Sequence, residues 1–133
     1  MLKTALERHD FDCTQMALNA AMRGQVSGAT SSFETTALPV ALQKKMGVTA
    51  MKIFAQDALV GQAPPEKLIQ YSMTLPVAAT VIGMPKVEHL ERNIAAAKAF
   101  KPMPLEEMRR MSGELAPKNK LALERFFQSH VDA

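Results

Sequence analysis

Residues 83–93, GMPKVEHLERN, join a glycine, a proline-marked turn and the opening of a helix, with Lys86, His89 and Arg92 close to that helix's first turn. A helix start presents N–H groups with no intrahelical acceptor and the positive end of the peptide dipoles, the physical basis of anion and phosphate binding. Basic side chains beside it can add charge-assisted bonds. Lys52 is a second candidate, since it interrupts the apolar run VTAMKIFA at 48–55. An ammonium in such a run requires an anion, a carboxylate or a path to water. Gln15 and Asn19 are the third: two amides within the charge-free run CTQMALNA at 13–20. Those residue types suit either turn formation and backbone satisfaction or ligand contact.

Other chemistries find no support in the residue pattern. His9, His89 and His130 fall on separate segments without the i, i+4 spacing of a helical zinc pair, so no metal site is expected. Cys13 is the sole cysteine and is expected to be a buried, inert thiol; the chain can form neither an internal disulfide nor a cysteine cluster, which fits a reducing, cytoplasmic setting. Neither a G-x-S-x-G elbow nor a Gly-rich P-loop or Rossmann turn is present. Hydrophobic residues at 47% and charged residues at 22% of 133 place the chain among globular proteins of one domain. The net charge of +3 is mild, and the basic stretch Arg109, Arg110, Lys118, Lys120 is interleaved with Glu106, Glu107 and Glu114, so nucleic-acid binding is not expected. No window reaches the roughly 18 apolar residues of a membrane span, and the start MLKTALERHDFD does not read as a signal peptide. The ten methionines read as adaptable core packing.

The elements that would position these residues alternate. Leu2, Ala5 and Leu6 predict a helix, followed by a strand from Cys13. Residues 23–32 read as a polar loop with weak order. A helix is expected over 36–46, stopping at Gly47, then a strand over 48–55 and the loop QDALVGQAPP. Pro65 and Glu66 open a helix with Leu68, Ile69, Ser72 and Met73 on its buried face, ended by Leu75-Pro76. The β-branched run at 77–82 suits a parallel strand covered on both faces. The next helix carries Val87, Leu90, Ile94 and Ala97 on one apolar stripe, expected to pack. Two more helices are expected, 104–113 and 118–130, forming a helical extension over 101–133. The whole is an α/β domain with about three parallel strands, and its ligand-facing loops should lie beyond the strands' carboxyl ends.

Over 11–100 the successive segments FDCTQMALN, KKMGVTAMKIFAQDAL and LIQYSMTLPVAATVIGMPKVEHLERNI resemble the sixth, seventh and eighth strand units of aldo/keto reductases, the eighth being the most specific. That resemblance implies part of an eight-stranded (β/α)8 TIM-type barrel, an NADP(H)-dependent oxidoreductase fold, present here as a C-terminal fragment. It places Gln15 near a nicotinamide amide, Met51 against the nicotinamide face, and Lys52 and Phe54 along the pyrophosphate. Gly83 and Met84 would bound the adenosine phosphate pocket, with His89 where many members carry an arginine, Lys86 as a substitute partner for a 2′-phosphate, and Asn93 at the adenine. Many members carry an aromatic at the Met51 position and a Lys-Ser pair where this chain has Met84-Pro85, so NADP(H) and NAD(H) both stay open as cofactor.

No segment matches the family's catalytic Asp, Tyr, Lys and His, and Tyr71 sits in a predicted helix. Without a general acid, little carbonyl reduction is expected from the chain alone. Three strands leave two apolar sheet edges. Self-association into a homo-oligomer, or docking onto a missing N-terminal half, is the expected remedy. The alternative to a cofactor-binding part is a non-catalytic half-barrel module for assembly.

Overall fold

Each apolar run pairs in parallel with the next. Strands β1 (Cys13–Ala17), β2 (Gly47–Met51) and β3 (Ala79–Thr80) form one sheet in the order β1-β2-β3, with Cys13 opposite Gly47 and Ala17 opposite Met51. The computed structural model describes residues 2–22 and 32–128, and five helices lie among them: α1 (Leu2–Arg8), α2 (Phe33–Gln43), α3 (Pro65–Thr74), α4 (Val87–Lys98) and α5 (Leu105–Gln128). Parallel neighbours cannot be joined by a hairpin, so α2 and α3 serve as the crossovers. The mixed α/β class with a three-stranded parallel sheet agrees with the expectation.

Alternation along the strands decides which face is covered. Met16, Val48 and Ala50 are buried, and the same core takes Leu6 from α1, Ala37, Leu38 and Ala41 from α2, and Leu68, Ile69 and Tyr71 from α3. The intervening positions fare differently: Cys13, Gln15 and Ala79 are exposed, and Thr49 and Met51 are half-buried. Two expectations are thereby corrected. The strands are not sealed on both faces, and Cys13 is an exposed thiol, because it begins an edge strand on the less covered face.

Element ends follow local chemistry that the hydrophobic pattern does not reveal. Helix α2 begins three residues before the expected start because Ser32 caps it: the Ser32 hydroxyl accepts the Glu34 N–H at 3.1 Å, and the Thr35 and Thr36 hydroxyls donate to the Ser32 carbonyl. Its stop is Lys45 rather than Gly47. Lys45 takes φ 57°, while the Met46 N–H reaches the Ala41 carbonyl at 2.9 Å and the Lys45 N–H the Leu42 carbonyl at 3.0 Å, a Schellman closure. Gly47 instead opens β2, its N–H donating to the Asp12 carbonyl. The expected polar loop at 23–32 lies outside the described residues except for Ser32.

Helix α5 replaces two expected helices by one. Proline inside a helix lacks a donor for the carbonyl four residues back and crowds it. For Pro117 that carbonyl belongs to Gly113, which is exposed, so water can satisfy the oxygen. Gly113, the expected end of the first of these helices, thus falls inside one continuous helix. Buried Met108, Leu115, Ala116 and Leu123 hold it against the core.

The largest correction concerns α4. Val87, Leu90 and Ile94 are exposed at 67%, 40% and 45%, so their stripe does not pack. Helix α4 leans on α3 through its other side, where Asn93 is buried and Ala96 half-buried. Among the described residues β3 is one edge of the sheet, with no further strand beyond it.

Candidate functional site

The turns at the carboxyl ends of β1 and β2 are tied together by one amide. Asn19 is buried, its Nδ2 donates to the Lys52 carbonyl at 3.0 Å, and its Oδ1 accepts the Ala21 N–H at 3.1 Å. Of the two readings open to it, Asn19 is therefore the turn-former, and it also crosses between the two strand ends. A second bond, from the Ser72 hydroxyl to the Leu18 carbonyl at 3.0 Å, fixes α3 to the end of β1.

Strand β2 stops at Met51, and Lys52 adopts φ 56°, so this lysine begins a turn rather than interrupting a buried strand. Beyond it Ala55, Gln56 and Asp57 also take positive φ, at 49°, 54° and 68°. Three consecutive L-residues in the left-handed region cost on the order of 1–2 kcal/mol each. Local hydrogen bonds from the Ala55, Ala58, Leu59 and Val60 amides hold the coil shut, and buried Ile53 and Leu59 anchor it. Its outward side presents Phe54 and Asp57.

Those two side chains face the start of α4 across a cavity of about 330 Å³, lined by Phe54, Asp57, Val60, Pro65, Gly83, Pro85, His89, Arg92 and Asn93. The start of α4 has no side-chain cap, as expected of a helix whose N-cap is Lys86. Arg92 lies 3.9 Å from Glu66 with both side chains about half exposed, a loose pair of little energetic consequence. Asn93 is different. It is 9% exposed, and its Nδ2 has no hydrogen-bond partner, although a buried orphan amide costs about 1–3 kcal/mol. A donor so placed at a cavity wall matches a ligand acceptor.

Five of the ten expected site residues thus converge on one cavity: Phe54, Gly83, His89, Arg92 and Asn93. Met84 and Lys86 flank it, exposed, without lining it. Gln15 is exposed on β1, Met51 is half-buried at the end of β2, and Lys52 lines a separate recess of about 10 Å³ with Ala17, Asn19, Met22, Ala55, Gln56 and Leu123. Sequence reasoning missed Asp57, Val60, Pro65 and Pro85. Proline 65 and Pro85 flank helix starts already recognised, whereas Asp57 owes its place to a left-handed coil with no glycine to announce it. Its carboxylate opposes Arg92 in sign, so the cavity offers both an anion's partners and an acceptor for hydroxyl or amine donors.

No helix among the described residues is long and apolar enough to cross a membrane. No family model, curated protein or solved structure matches the chain.

Proposed function

We propose that this cavity holds the adenosine-phosphate end of a nicotinamide dinucleotide, NADP(H) or NAD(H), and that these residues are the cofactor-side part of an aldo/keto reductase-like barrel. The observation that carries this reading is the orphan amide of Asn93 at the wall of a cavity that also presents Arg92, His89 and an uncapped helix start. An adenine ring nitrogen can accept from the amide, Phe54 offers an aromatic face, Asp57 suits a ribose hydroxyl, and the helix start with its cations suits phosphate. Titration calorimetry with adenosine 2′,5′-bisphosphate is the test. Asn93→Leu, which keeps the volume and removes the donor, is expected to weaken binding about tenfold, in line with one lost hydrogen bond. Arg92→Ala should weaken it further at low salt than at high salt. Lys52→Ala, outside the cavity, should leave it unchanged. Absence of binding at millimolar nucleotide would end this reading.

A second reading rests on a different observation. The Val87, Leu90 and Ile94 stripe is exposed and β3 is an edge of the described sheet, and soluble proteins ordinarily pair or cover such features. An assembly module would bury them. That reading requires association of the chain, measurable by light scattering, and no nucleotide affinity.

A further inference from the structure

Helix α5 begins beside α3, where Lys67 reaches Glu107 at 2.7 Å, and crosses the turn after β2, where Gln62 and Asn119 exchange two amide hydrogen bonds of 2.9 Å. One turn later Leu123, 4% exposed, lies against Ala17, Asn19, Met22, Lys52 and Ala55, all at the carboxyl ends of β1 and β2. What remains there is about 10 Å³, room for at most one water. The adenosine-side cavity, by contrast, holds about 330 Å³, near the lower bound of roughly 300–1,000 Å³ for small-molecule sites. The two spaces lie at opposite sides of the same 52–57 coil, Phe54 and Asp57 facing one and Ala55 and Gln56 the other.

From this asymmetry we infer that the chain grips its nucleotide by the adenosine half alone, and that α5 keeps the second half of a dinucleotide off the strand ends by seating Leu123 over them. The inference rests on the adenosine reading of the cavity and narrows its ligand. A nicotinamide ring extending from the cavity toward Met51 meets the turn residues that Leu123 already covers, because Ala17 is Met51's register partner. The reciprocal Gln62–Asn119 amide pair and buried Leu115 and Ala116 brace α5 one to two turns before that contact, so the closure belongs to the packed helix.

The test compares adenosine 2′,5′-bisphosphate with NADP+ on the full chain, and separately measures access to the strand end by thiol labelling of Ala17→Cys in a Cys13→Ser background. The expected result is that the two nucleotides bind within about threefold of each other. Leu123→Asp should then tighten NADP+ at least tenfold while leaving the bisphosphate unchanged, and should speed labelling at position 17 at least tenfold. Leu123→Ala, milder toward folding, should move both readouts in the same direction by a smaller factor. NADP+ binding tenfold tighter than the bisphosphate to the unaltered chain overturns the inference while leaving the adenosine reading intact, and so does labelling at position 17 that is equally fast with and without Leu123. Binding of neither nucleotide overturns the adenosine reading and the ligand assigned here together.

Discussion

Single residues set the local geometry, and two of them invite direct measurement. Lys45 holds φ 57° at the end of α2 and is exposed, so its side chain pays the left-handed cost without contributing to the core. Lys45→Gly should stabilise the protein by about 1 kcal/mol, seen as a rise in Tm of several degrees in a thermal melt. Asn19 acts in the other direction: it satisfies the Lys52 carbonyl and the Ala21 N–H from a buried position. Asn19→Leu strips those partners and should cost roughly 2–4 kcal/mol by urea denaturation, two buried bonds' worth less what the leucine recovers. Neither assignment was legible in the sequence alone. A lysine gives no sign that it will close a helix in place of the glycine two residues on, and an asparagine in an apolar run fits a turn and a ligand site equally.

Helices and strands were recovered from periodicity where burial followed it. The run of Leu68, Ile69 and Ser72 after Pro65 became α3 with those residues inside, and the three apolar runs became parallel neighbours. Periodicity failed where the environment differs from what a stripe implies. Val87, Leu90 and Ile94 repeat at helical spacing, yet the repeat cannot tell whether anything lies opposite, and here the sheet ends first. Punctuation failed at α5 because Gly113 was read as a stop, whereas it lies inside one helix, four residues before Pro117, where its exposed carbonyl is open to water. Pro117→Ala restores the missing donor and should raise stability by roughly 1–3 kcal/mol with added helical ellipticity. The candidate cavity was half legible: residues on the α4 side followed from the turn motif, while Asp57 and Val60 required the left-handed coil, which no glycine marks.

For the molecule as a whole, the uncovered β3 edge and α4 stripe dominate expected behaviour in solution. Replacing two stripe residues, Leu90→Glu with Ile94→Glu, should abolish any association seen by light scattering while changing Tm little, since neither side chain belongs to the core. The brevity of β3 carries a separate consequence. The amides of Ala78 and Val81, each 2.8 Å from a β2 carbonyl, flank a ladder of only two residues. In native-state hydrogen exchange those two amides should open well before the Met16 and Ala50 region. A nucleotide held between Phe54 and Asn93 would then tie the coil beyond β2 to the segment that follows β3, so its arrival should be felt as slowed deuterium uptake at Ala78 and Val81, neither of which lines the cavity.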